Sequence, residues 1–380
     1  MTDHLAALSA LTRDLVAIDS RSFVSNLPIA ERIEAELADF KVERLDYLDP
    51  AGVTKRALVA HRPGRGAAKG ASPGGIAFSG HMDTVPDTGW QEDPWSGRTD
   101  ADGTLHGLGS TDMKGPLAAA ILAARALPAS VPVSLLITTD EETTKQGARR
   151  IVQHSALARA AKPGLILVVE PTGMAPVRGH RSHIAFTCVA TGVQAHSSTG
   201  RGTNANWALI PFLVEMKSIY ERLRADPALQ DRDYDPVFSD FNVVIDNHGA
   251  AVNVTVPKAT ARIKFRYSAR LDPTPVLTAV YDAASRAGIT VTEAREGTPP
   301  ELPADHPLVR LCVETVGAPP RTAPYGTDAS ELQVLAPCVV LGPGDIAQAH
   351  TPTEQVRLAE LDAAIPVFMR LAERVRTGAV

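Results

Sequence analysis

GIAFSGHMD, residues 75–83, is the stretch from which the fold is read. Residues 75–79 form a short apolar run that goes straight into Gly80-His81-Met82-Asp83. A run of that length, bounded by a turn and polar groups, reads as a strand buried inside an α/β sheet. Three other runs repeat the pattern. VSLLIT at 133–138 enters Thr139-Asp140-Glu141-Glu142, and LILVV at 165–169 enters Glu170-Pro171. VVL at 339–341 is followed, after a Gly/Pro loop, by His350. Between the first two strands lies PLAAAILAARAL, 116–127, an Ala/Leu-rich helix with Pro in its first turn. Strands alternating with helices predict βαβ units and an α/β fold with a mixed, mainly parallel sheet.

In such sheets ligands bind at the carboxyl ends of the strands. All four strands deliver His or carboxylate groups there, and LGSTDMKG, 108–115, adds Asp112 before the Ala-rich helix. Carboxylates gathered this way repel one another and raise one another's pKa unless cations sit among them. Zinc takes imidazole nitrogen and carboxylate oxygen, and catalytic sites keep one position open for water. His81, Asp112, Glu142, Glu170 and His350 therefore read as ligands of two zinc ions. Asp112, alone at a loop-to-helix junction, is the expected bridge between ions about 3.5–4 Å apart. Asp83, two residues after His81, is placed to hold the second imidazole nitrogen and fix its tautomer. Adjacent side chains diverge on an extended backbone, so Glu141 and Glu142 cannot both face one ion. Glu142 ligates; Glu141 becomes the general base on the attacking water and then the acid for the leaving nitrogen.

Bulk properties limit the alternatives. A chain of 380 residues suggests about two domains, and 44% hydrophobic with 21% charged residues allows a sizeable core. A net charge of −5 with mixed signs offers no basic stripe for nucleic acid. Cys188, Cys312 and Cys338 are odd in number and far apart, so a disulfide framework is not expected and the compartment reads as reducing. The N-terminal amphipathic helix pattern lacks the layout of a secretory signal, and no apolar stretch is long enough to span a bilayer. A cytoplasmic location without membrane partners is the expectation. After residue 178 the texture changes. IAFTCVAT at 184–191 is strand-like, a helix is expected at 204–223, and an Asp-rich stretch covers 226–240. Residues 241–245 and the alternating TARIKFRY at 260–267 suit an antiparallel sheet with one wet face. This places a smaller α+β domain at 179–292, inserted into a first domain made of 1–178 and 293–380. The Gly/Ala/Pro-rich stretch 62–75 reads as a flexible surface loop.

GHMDTVP, LGSTDMKG, TTDEET, VVEPTG, GVQAHSS, the Asn253-to-Arg266 segment, YGTDAS and HTPTE together resemble the zinc peptidase/deacylase family. That family includes acetylornithine deacetylase, succinyl-diaminopimelate desuccinylase, aminoacylase and glutamate carboxypeptidase. The strings occur in the family's order over most of the chain. WQEDPWSGRTDADGTLHGLGSTDMKG and EPTGMAPVRGHRSHIAF are closest in texture to acetylornithine deacetylase. The resemblance implies a catalytic domain interrupted by a lid that also makes a homodimer, the same five ligands, and Glu141 as base. It implies a cis Asp112–Met113 bond and two zinc ions, with cobalt or manganese accepting similar ligands. It assigns His196 to the reacting carbonyl oxygen, and Asn253 and Arg266 to the substrate, the guanidinium suiting a carboxylate. Gly326 and Thr327 divide evenly between a plain turn and a substrate contact.

The implied reaction is hydrolysis of the amide of an N-acyl amino acid. A dipeptidase or carboxypeptidase on the same site is the second reading, and a zinc-stabilised binding protein without turnover is the third. Three departures fall in or near the lid: Val256 followed by Pro257, no proline soon after Arg266, and Arg181-Ser182 in place of Lys-Gly. They bear on which substrate is chosen and leave the metal set untouched. His180 and His183 read as structural or substrate-rim residues, Trp90 and Trp95 as loop packing, and Asp328 as orienting His350 or its own loop.

Overall fold

In the computed structural model, which describes residues 3–65 and 74–377, the four apolar runs become four neighbouring strands. Most of the loop expected at 62–75 lies outside the described residues. In chain order the strands are β1 (Lys41–Leu48), β2 (Thr54–Arg62), β3 (Ile76–His81), β4 (Thr104–His106), β5 (Val133–Thr138), β6 (Leu165–Val168) and β7 (Val177–His180). They continue with β8 (Ser182–Thr191), β9 (Asp240–Asp246), β10 (Lys258–Tyr267), β11 (Thr290–Arg295), β12 (Arg321–Ala323), β13 (Cys338–Val340) and β14 (Gln355–Arg357).

The large sheet has the order β1-β2-β5-β3-β6-β13-β7-β12. Its centre is parallel: Phe78 of β3 lies opposite Leu135 of β5 and Leu167 of β6, and Leu167 lies opposite Val339 of β13. These strands are buried along their whole length, which is why they read as unbroken apolar runs. Running the same way, they end at one edge. The flanks are antiparallel, with β1 on β2, β2 on β5 and β7 on β13. The helix Gly115–Ala126 is buried from Gly115 to Ala124, consistent with its Ala/Leu composition on every face. It packs on the C-terminal helix Leu358–Thr377, whose Phe368 ring stands 5.5 Å from that of Phe78.

The chain divides into two compact units. The first comprises Met1–Gly179, Pro300–Arg321 and Thr327–Val380; the second comprises His180–Pro299 and Thr322–Gly326. The second unit carries its own antiparallel sheet, β11-β8-β10-β9, and the helices Asn206–Ala225 and Thr274–Ala287. Ala261, Ile263 and Phe265 of β10 point into its core with Phe186, Phe212 and Val280, whereas Arg262 is exposed. Alternation along TARIKFRY is thus the signature of a half-wet strand. Among the described residues no helix is long and apolar enough to cross a membrane.

Candidate metal centre

The shared edge of the parallel strands gathers the five expected ligands. His81 is the last residue of β3, and its Nε2 stands 3.1 Å from Asp112 Oδ1 and 3.8 Å from Glu170 Oε1. Glu170 follows β6 by two residues. His350 Nε2 stands 3.3 Å from the other oxygen of Asp112, Oδ2, and 3.1 Å from Glu142. Ligand atoms of His81, Asp112 and Glu142 lie within 4.8 Å of one another. Asp112 therefore faces two ways: Oδ1 towards His81, which lies beside Glu170, and Oδ2 towards His350, which lies beside Glu142. Its backbone is irregular (φ −120°, ψ 92°), and the Asp112–Met113 bond is cis. His350 sits at φ 62°, a left-handed conformation in which His is several-fold enriched over most non-glycine residues.

The electrostatics of this group call for cations. Burial pushes Glu142 up to about 7, with the charge of Asp112 adding to it. Burial and the same neighbour also push Glu170 well above the usual carboxylate range. Hydrogen bonds to Asp112 and Glu142 carry His350 up to about 11. Burial opposes charge on His81, yet its contacts with Asp112 and Asp83 hold it charged well above its ordinary pKa. On its own the cluster thus retains protons on imidazoles and carboxylates alike, and divalent cations would supply the same positive charge. Two imidazoles and three carboxylates, one of them two-faced, fit a pair of zinc-type ions.

Glu141 and Glu142 do not lie on extended backbone; they stand in a turn opened by Asp140 at φ 59°. From that turn Glu142 meets His350, and Glu141 meets Lys145. Glu141 is pushed up by burial, and its Oε1 is buried without a hydrogen bond, with Lys145 Nζ 3.4 Å away. Asp83 anchors the turn: its carboxylate accepts from the amides of Glu141 (3.2 Å) and Glu142 (3.4 Å) and from Ser22 Oγ (2.7 Å). The second nitrogen of His81 meets the carbonyl oxygen of Asp83 at 3.0 Å, with the Asp83 carboxylate at 3.5 Å. Asp328 accepts from Thr138 at the end of β5, so it supports the loop before Glu141. Burial pushes it up to about 8, and the charge of Glu141 adds to that.

The family model described as peptidase family M20/M25/M40 matches residues 77–374. The chain belongs to this family. An acetylornithine deacetylase from Myxococcus xanthus is 33% identical, covering 97% of this chain and 98% of its own length. Among solved members of the M20/M25/M40 family, a metallo-carboxypeptidase from Sulfolobus solfataricus shares the fold at a TM-score of 0.74 and 15% identity. It covers 99% of this chain and 100% of its own. A dinuclear metal binding peptidase from Bacillus subtilis superposes at 0.62 with 17% identity, covering 99% of both chains.

The resemblance to the zinc peptidase/deacylase family also assigns roles to residues of the second unit. His196 is exposed, and its Nδ1 lies 2.8 Å from Ser198 Oγ. Asn253 is its close neighbour in the fold: the amide of Ser197 donates to the Asn253 carbonyl at 3.0 Å. Arg266, half-buried on β10, pairs with Asp240 at 3.3 Å. Gly326 belongs to the second unit, and the buried Thr327 to the first. Thr327 Oγ1 accepts from the Ala329 amide just before the short helix Ala329–Leu332, and its carbonyl accepts from Lys145 Nζ at 2.8 Å. His180 is buried with Nδ1 on the Arg181 carbonyl (2.9 Å), and His183 pairs with Glu296 at 2.6 Å. Trp95 packs on the Arg21 guanidinium, 5.0 Å from the ring centroid.

Residue-by-residue reading of the sequence missed a set of buried polar groups around this centre. Glu354, Lys114, Lys55, Asp140 and Tyr47 are all buried. HTPTE did carry Glu354 as a motif letter; what it contacts became visible only with the fold.

Proposed function

We propose that the chain hydrolyses the amide bond of an N-acyl amino acid in a metal-dependent reaction. The first unit acts as the catalytic domain and the second as a lid. The observation carrying this reading is the two-faced Asp112, whose two oxygens each meet one imidazole, His81 beside Glu170 and His350 beside Glu142. Relatives named acetylornithine deacetylase, matching nearly end to end, support an amide rather than an ester or phosphate as the bond cut. His81, Glu170 and Asp112 would hold one ion, and His350, Glu142 and Asp112 the other. Zinc suits these donors, as do cobalt and manganese. Bound there, such ions polarise an amide carbonyl and ease deprotonation of water.

The chain's own residues do the rest. Glu141 takes a proton from the attacking water at its carboxylate and passes it to the leaving nitrogen. Its Oε1 lies 3.4 Å from Lys145 Nζ, an ammonium placed to steady the carboxylate between its two proton states. Asp83 fixes the turn that carries Glu141 and Glu142 by holding both amides, and its carbonyl fixes the His81 tautomer. His196 is assigned to the developing oxyanion, and Asn253 and Arg266 to the substrate, the Arg266 guanidinium suiting a carboxylate. A homodimer formed through the second unit has two supports. Trp207, Ile210 and Val214 are exposed along one face of the helix Asn206–Ala225, and Val244 and Ile245 are exposed on the edge strand β9.

Glu141→Ala tests the assignment. The variant should bind zinc like the unaltered chain, while kcat on N-acetyl amino acids falls by at least about a hundredfold, the lower end expected for a lost general base. A variant keeping most of its turnover would remove Glu141 from the mechanism. Rates on N-acetyl, N-succinyl and N-carbamoyl amino acids beside dipeptides would identify the substrate class. Faster dipeptide cleavage would favour the peptidase reading.

A further inference from the structure

Glu354 lies four residues after His350 and is almost wholly buried at 1% exposure. Among the described residues its side chain makes no hydrogen bond to a charged side chain. Instead, Oε1 accepts from the amides of Thr111 (2.8 Å) and Asp112 (2.8 Å), and Oε2 accepts from the amide of Gly109 (3.0 Å). These amides need an outside acceptor because the segment is not a regular helix: Asp112 and Met113 both leave helical φ/ψ. The clamp continues on either side. The amide of Gly107 donates to the Glu354 carbonyl at 3.1 Å, and Thr111 Oγ1 donates to the Gln355 carbonyl at 2.6 Å. Then β14 pairs with β4, placing Gln355 opposite His106.

We infer that Glu354 is a positioning residue that joins the segment carrying His350 to the segment carrying Asp112. By gripping the Asp112 amide it sets where the two-faced carboxylate stands between the two imidazoles. The inference rests on the metal reading above and goes beyond it, since Glu354 is not among the ligands. The chemistry demands a carboxylate. Both oxygens accept backbone N–H groups, so a glutamine of the same shape turns its NH2 donor against at least one of those N–H groups in either orientation. Glu43 offers an internal comparison. Its carboxylate likewise accepts backbone amides, from Ala156 (3.2 Å) and Leu157 (3.1 Å), but at the start of the helix Ala156–Ala161 and apart from the five ligands.

The experiment titrates zinc alone into the metal-free full chain by calorimetry, for the unaltered protein, Glu354→Gln, Glu354→Asp and Glu43→Gln. Circular dichroism of each metal-free variant verifies the fold. Zinc affinity should fall about ten- to a hundredfold in Glu354→Gln, the range for lost support of a metal ligand. It should fall by less in Glu354→Asp, and stay unchanged in Glu43→Gln. A folded Glu354→Gln variant that binds zinc as tightly as the unaltered chain would overturn the inference. If Glu354→Gln does not fold, Glu354→Asp decides in the same way. An equal loss in Glu43→Gln would also overturn it, by showing a general effect of losing a carboxylate cap. Failure of the unaltered chain to bind zinc would sink the metal reading and this inference together, so the two failures are told apart by the control.

Discussion

Lys55 is 0% exposed, and it shows how this protein keeps charge inside. Its ammonium donates to the carbonyls of Ser22 (2.6 Å) and Val24 (2.7 Å) and lies 3.2 Å from Asp140 Oδ1. The other oxygen of Asp140 accepts from Tyr47 at 2.7 Å, and Asp140 opens the turn that carries Glu141 and Glu142. Burial pushes Asp140 upward and its hydrogen bond from Tyr47 opposes that; burial raises Tyr47 too. Removing the cation strands a buried carboxylate and two carbonyls. Lys55→Met should therefore cost about 3–5 kcal/mol, the range for breaking one side of a buried pair. Urea unfolding of the metal-free chain measures it, and a loss below about 1 kcal/mol would show the ammonium to be dispensable. None of this is visible in TKRALVAHR: a lysine between Thr54 and Arg56 reads as an ordinary solvated residue. Glu354 hides for the same reason, since the amides it satisfies lie more than 240 residues earlier. The ligands themselves are legible because each stands near the end of an apolar run or in a Gly-flanked turn. Their supports carry no such local mark.

Among the elements, what the sequence reveals depends on burial. The central strands β3, β5, β6 and β13 are buried throughout and show as apolar runs. The flanking β1 reads KVERLDYL and is half-exposed, so its charged residues conceal a strand that pairs along its whole length with β2. The short helix Gln146–His154 is likewise faint in the sequence, yet it presses on the end of β5. Gly147 is part of it, and a Cβ there would stand 2.5 Å from both the N and the O of Thr139. In an open helix Gly→Ala is stabilising by roughly 0.5–1 kcal/mol. Here the contacted atoms are backbone and cannot rotate away, so overpacking of about 1–3 kcal/mol reverses the sign. Thr139 immediately precedes the turn of Asp140 and Glu141, so the same shift should lower kcat. Gly147→Ala is thus expected to melt earlier and turn over more slowly than the unaltered chain. A variant as stable as its parent would mean that helix and strand end can part without cost.

At the scale of the whole molecule, each unit has a separate hydrophobic core, and the candidate metal set belongs entirely to the first. The cysteines report on the two cores independently. Cys312 and Cys338 are buried in the first unit and Cys188 in the second, all three as free thiols. Burial pushes Cys188 and Cys312 up to about 12 and Cys338 higher still, so a thiol reagent reaches them as reactive groups only after opening. Zinc held by folded ligands stabilises only the state that contains them. At a hundred times the dissociation constant this amounts to about 2.7 kcal/mol, or roughly a hundredfold fewer openings. Labelling of Cys312 and Cys338 should therefore slow about a hundredfold when zinc replaces a chelator, in the regime where opening is fast and reversible. Cys188 should label at a rate set by its own unit and change little. Mass spectrometry of peptides from timed labelling separates the three sites. Equal protection of all three by zinc would show that the units open as one, and no protection of Cys312 or Cys338 would mean that the five gathered ligands leave the stability of their own unit unaltered.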